Sequence, residues 1–157
     1  MAVATYDPKF ANLTFGPHLV TGYAEDQMLE IEFSSPKYEN KVGIDGFLTR
    51  IKQNNTSGMI KVSLMATSPS NKVLATMARG ELGAAVTTLL SIVGASQISL
   101  NADVFPVMMY DSSTGAKFTA PDCWVAKEPT IQKGKDIGVI EWELHFSNGV
   151  ADFGVFT

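Results

Sequence analysis

With 157 residues, 45% of them hydrophobic and 18% charged, the chain has the balance of one globular domain spanning 1–157 and not of a disordered or fibrous segment. A formal charge of −4 and a pI near 5.1 exclude the basic footprint of tight nucleic-acid binding, in which Lys and Arg displace counterions from phosphate. Cys123 is the only cysteine, so no disulfide closes within the chain, and a reducing, cytoplasmic origin fits best.

Taken from its start, Met1–Phe10 has neither the basic nor the apolar stretch of a signal peptide. Met28–Phe33 alternates, with Leu29, Ile31 and Phe33 on one face and Glu30 and Glu32 on the other, the period of a half-buried strand. Ser34–Lys41 reads as a surface loop. Gly43 and Gly46 bracket a kink that leads into Phe47–Lys52, and Gln53–Gly58 is dense in turn formers. Met59–Met65 alternates again, with Ile60, Val62 and Leu64 on the buried side, so Phe47–Lys52 and Met59–Met65 are expected to form a hairpin. Arg50, Lys52 and Lys61 would give that hairpin a basic outer face.

Ser68 as a cap, Pro69 in the first helical turn, the stripe Val73, Leu74 and Met77, and Gly80 just past the end predict one short helix over 69–79. Leu82–Ala95 is apolar all round and fits a helix, a buried strand or an interface arm. It is shorter than the roughly 20 residues a membrane span needs, so no membrane anchor is expected. Val104–Asp111 and Lys117–Lys127 flank Ser112–Gly115 as a second hairpin. Pro106 and Pro121 each lack a ladder donor there, which calls for edges or bulges. Gly138–Ser147 is the closing strand: Ile140, Trp142, Leu144 and Phe146 face the core, and Glu141, Glu143 and His145 face away. Gly149–Thr157 carries Phe153 and Phe156 and is expected to dock. The whole predicts a mainly β domain.

Catalytic signals are weak. His18, in a loop beside Pro17, and His145, on a charged strand face, stand at no metal-ligand spacing, and Cys123 has no nearby cation to favour its thiolate. Gly43–Gly46 lacks the Lys and Thr of a phosphate loop. The pairs Glu30/Glu32 and Glu141/Glu143 fit a solvated acidic face better than a glycosidase. No catalytic residue, cofactor or metal is expected.

V-G-I-D-G (Val42–Gly46), G-M-I-K-V-S-L-M-A-T-S-P-S-N (Gly58–Asn71), a short helix, A-K-E-P-T (Ala126–Thr130) and I-E-W-E-L (Ile140–Leu144) follow one another in an order that resembles the tail tube proteins of contractile-tailed bacteriophages. The resemblance implies a small β-sandwich or barrel with one flanking helix. It implies that six copies join edge to edge into a ring-shaped continuous β-barrel, and that rings stack into a hollow tube through which DNA passes without specific binding. The implied partners are further copies of the chain, a sheath protein, baseplate and tape-measure proteins. The implied location is the virion, after assembly in the bacterial cytoplasm. The type VI secretion tube protein is similar in fold.

On that reading Glu30 and Glu32 are expected to line the lumen, with Glu141 and Glu143 as the alternative. Arg50, Lys52, Lys61 and Tyr38 are expected to make contacts between subunits or between rings, with Ser34–Lys41 as an arm. Ile60, Val62, Leu64, Ile140, Trp142, Leu144 and Phe146 are the expected core. Other tube, baseplate or terminator roles remain open, as do a small-ligand-binding β-barrel and an enzyme assembled from distant loops.

Overall fold

The computed structural model describes residues 5–79 and 103–154. A 3₁₀ turn at Pro8–Phe10 leads into β1 (Ala11–Phe15) and the short β2 (His18–Leu19). There follow β3 (Leu29–Phe33), β4 (Tyr38–Val42), β5 (Leu48–Lys52), β6 (Gly58–Met65), α1 (Ser70–Ala78), β7 (Phe105–Asp111), β8 (Lys117–Lys127), β9 (Val139–Phe146) and β10 (Val150–Asp152). Among the described residues the protein is mainly β with one short helix, as the sequence predicts.

Eight strands form one antiparallel sheet in the order β2-β1-β7-β8-β9-β6-β3, with β10 also paired to β8. The long strand β8 is its pivot. Lys117–Cys123 pairs with β7, whereas Cys123–Lys127 pairs with β9. The ladder slips between Phe105 and Val107, so that Pro106 lies across from Pro121 and Asp122. Both prolines therefore sit at one bulge, where their missing N–H groups interrupt no regular ladder.

The sheet curls around a core drawn from both halves. Leu13 and Phe15 of β1, Ile60, Val62 and Leu64 of β6, Phe118 and Cys123 of β8, and Trp142, Leu144 and Phe146 of β9 are all buried. Burying each large apolar side chain contributes about 1.5–3 kcal/mol, so this interior outweighs any surface ion pair at about 0–1 kcal/mol. The rings of Phe33, Phe118 and Phe146 meet edge to face with centroids 5.2–6.2 Å apart. Gly58 lies beneath this cluster, where a Cβ would collide with the Glu32 carbonyl and the Phe146 ring.

Helix α1 closes one side of the core with Leu74 and Met77. The Ser68 hydroxyl oxygen accepts from the Ser70 N–H at 3.2 Å and donates to the Thr21 carbonyl at 2.5 Å. The helix starts one residue later than expected: Pro69 holds the N-cap position without a side-chain cap bond. Ser68, the expected cap, stands just ahead of it, serving the first helical N–H and tying the helix to the chain after β2. Gly80 and the run Leu82–Ala95 lie outside the described residues.

Several expectations are corrected. β5 pairs with β4, not with β6, and the two form a separate two-stranded sheet. Gly43–Gly46 is accordingly the turn of that hairpin, closed by Gly46 N–H to the Gly43 carbonyl at 2.9 Å, with Gly46 at φ 82. The last part of the expected Ser34–Lys41 loop belongs to β4. Ile140 is half-buried at the margin of the core, because the Leu64–Ile140 end of the ladder lies near its rim. The tail docks through β10, yet Phe153 is 84% exposed; Phe156 lies outside the described residues.

Candidate assembly surfaces

The register of the sheet places every outward residue of β3, β6 and β9. Glu30 stands opposite Lys61 and Lys61 opposite Glu143, while Glu32 stands opposite Met59 and Met59 opposite His145. Ser63 stands opposite Glu141. Because successive residues on a strand point to opposite faces, all of these share the side away from the core. The two expected acidic pairs, Glu30/Glu32 and Glu141/Glu143, are therefore one surface and not competitors. Lys61 belongs to it as well. His145 Nε2 lies 3.1 Å from Glu143 Oε1, and the Trp124 ring meets the imidazole edge-on at 6.5 Å between centroids.

The second surface is the β4–β5 hairpin. Every residue of its two strands is exposed. Tyr38 pairs with Lys52 and Asn40 with Arg50 in its ladder. The Arg50 guanidinium lies over the Tyr38 ring at 4.4 Å from the centroid, a cation–π contact. Tyr38, Arg50 and Lys52 thus fall together on one face, and Lys61 is not among them. At the tip, Val42, Ile44, Phe47 and Leu48 are exposed, Phe47 at 71%.

The remaining chemistry is structural. Burial pushes the Cys123 thiol up to about 12, so the thiolate needed for nucleophilic attack does not form near neutral pH. His18 is half-buried and lies in β2, not in a loop; its Nε2 is 2.9 Å from the Ser70 hydroxyl, which also accepts from the Thr21 N–H at 3.0 Å. Among the described residues no group of three or more His, Cys, Asp or Glu side chains could hold a metal ion. Phe15, Phe118, Phe146 and Trp142 are buried in the core. A depression of about 700 Å³ lies elsewhere, on the surface between Tyr6–Asn12 and Leu19–Met28.

Solved structures share this architecture. The tube-terminating cap of the anti-feeding prophage superposes with a TM-score of 0.55, at 12% identity over 98% of this chain and 95% of its own. This chain shares the fold of that cap subunit. The sheath/tube terminator of an extracellular contractile injection system gives 0.56, at 10% identity over 96% of this chain and 99% of its own. A chain of the sheath-tube complex of such a system gives 0.50, at 10% identity over 91% and 88%. In sequence, structural protein ORF10 of Pseudomonas phage KPP10 is 23% identical over 137 residues, covering 87% of this chain and 71% of that protein. No family model matches the chain. The likeness is to structural components and not to enzymes, in agreement with the resemblance read from the sequence.

Proposed function

We propose that the protein is a structural subunit of a contractile phage tail, forming rings that stack into the hollow inner tube. The observation that carries this reading is a curved antiparallel sheet with an apolar inner side, a charged outer side and a free edge at β3 among the described residues. A long unpaired edge templates pairing with another chain, and closure into a ring removes it. The acidic face then lines the lumen. Six copies of a chain of charge −4 make a channel wall that repels phosphate, so DNA slides without being held. The β4–β5 hairpin, through Tyr38, Arg50, Lys52 and its apolar tip, reaches a neighbouring copy or ring. Sheath, baseplate and tape-measure proteins are the remaining partners, and the virion is its place.

A second reading makes the protein a tube terminator, because terminator subunits superpose with TM-scores of 0.55 and 0.56, against 0.50 for the sheath-tube complex. Negative-stain electron microscopy of the purified protein over a concentration series separates the two. Stacked hollow tubes are the outcome expected of a tube subunit. Single rings that never stack would favour the terminator, and monomers at every concentration would count against both.

A further inference from the structure

One row of the acidic face alternates in charge across four strands. Glu30 on β3 is opposite Lys61 on β6, Lys61 is opposite Glu143 on β9, and Glu143 is opposite Lys127 on β8. Lys127 enters the row because the ladder slips by one residue between Val125 and Lys127; without the slip Ala126 would face Glu143. Among the described residues the row begins and ends at open edges. Among the described residues nothing pairs with the outer side of β3, and β7 covers β8 only from Lys117 to Cys123, which leaves Trp124–Lys127 free on that side.

We propose that β3 of one copy pairs antiparallel with Trp124–Lys127 of the next copy, with Glu30 opposite Lys127 of that neighbour. This specifies the ring contact and rests on the tube reading above. Three observations lead to it. First, β3 and β9 both run antiparallel to β6, and β8 runs antiparallel to β9, so β3 meets a neighbour's β8 in the same antiparallel sense as every pair inside the subunit. Second, the row starts with an acid and ends with a base. Head-to-tail joining therefore continues the alternation around the ring, whereas two β3 edges meeting by two-fold symmetry about Ile31 would set Glu30 against Glu32 of the other copy, and like charges across a ladder repel. A head-to-tail contact is the kind that closes into rings. Third, the same register sets Ile31 beside Val125, both against the core, and Glu32 beside Trp124 on the charged face. The slip at Ala126 is then shared by the strands on both sides of β8.

The test is a Glu30→Cys/Lys127→Cys double variant, oxidised after assembly and run on a non-reducing gel. Within one chain β3 and β8 are three strand spacings apart, roughly 14 Å, too far for a disulfide. Cys123 is fully buried and stays out of the exchange. The expected result is a ladder of covalent multimers ending at the ring size, absent from the displaced pair Glu32→Cys/Lys127→Cys. Rings in micrographs with no ladder, or with a ladder only from the displaced pair, would overturn the contact and leave the tube reading standing. A wild-type chain that forms no rings would remove both. Should the cysteines block assembly, rings of mixed light and heavy-isotope wild-type chains can be coupled with a carbodiimide. An amide between light Glu30 and heavy Lys127 peptides is expected, and its absence from coupled rings would overturn the proposal.

Discussion

Asn71 shows how much one side chain can join. Its Oδ1 accepts the buried Trp142 indole N–H at 2.9 Å, and its Nδ2 donates to the Met65 carbonyl at 2.9 Å. It thereby ties the first turn of α1 to the end of β6 and to β9. Asn71→Ala leaves the indole N–H buried without a partner, which costs about 1–3 kcal/mol. A urea midpoint lowered at unchanged m-value is the expected readout, and an unchanged midpoint would mean that the indole finds another acceptor. Asp111 acts likewise in the β7–β8 turn. Its Oδ1 accepts from the Ser113 hydroxyl at 2.6 Å and the Ser113 N–H at 2.9 Å, and these bonds hold its carboxyl below the ordinary value of 3.8. A carboxylate with a depressed folded pKa adds stability that is complete above its unfolded pKa and is lost as pH falls through the folded one. Asp111→Asn should therefore melt lower than wild type at neutral pH, and the gap should narrow as the pH drops below about 4. A gap independent of pH would assign the effect to packing.

At the scale of elements, the β4–β5 hairpin stands apart because it pairs only with itself. A two-stranded hairpin is marginal in water, and exposed apolar residues at its tip add nothing to the isolated subunit. Ile44→Ser with Phe47→Ser should leave the melting temperature within the shift of an ordinary surface substitution, about 0.5 kcal/mol, while sedimentation shows assembly weakened or lost. Tubes of normal yield from this variant would end the proposed role of the hairpin. The partner of β5 was hard to read from sequence because turn chemistry flanks that strand on both sides, at Gly43–Gly46 and at Gln53–Gly58. The choice fell to long-range competition. Both edges of β6 are taken, one by β9 in an eight-residue ladder and the other by β3, whose Leu29 and Ile31 pack against the core, whereas β5 is exposed throughout.

For the whole molecule, the distribution of charge across the sheet matters more than the count of acids. Glu30 and Glu143 have basic neighbours across the ladder, whereas Glu32 faces Met59 and Glu141 faces Ser63. Glu32 and Glu141 thus set most of the repulsion a passing phosphate would feel. Tubes carrying Glu141→Lys, which lies away from the proposed ring contact, should still assemble, retain DNA at low ionic strength and release it as salt rises, because contacts to phosphate weaken with salt. Infection by particles built from them should be slowed or blocked. Wild-type ejection and no DNA retention would remove this face from the lumen.

The sequence by itself determined the local terms. Period-two alternation marked the buried sides of β3, β6 and β9. The cap, the stripe and Pro69 marked α1, and Ser112–Gly115 between apolar runs marked the β7–β8 hairpin. Pro106 and Pro121 announced irregularity, and the bulge lies there. Only the tertiary structure decided which strands are neighbours, and with that everything about the surfaces. Alternation states which side of a strand is buried, but it carries no information about which strand lies beside it. That Glu30, Lys61, Glu143 and Lys127 fall into one row follows from pairings between residues up to 82 positions apart in the chain, such as Lys61 with Glu143. Those pairings are settled by burial of the shared core, which no local window of the sequence contains.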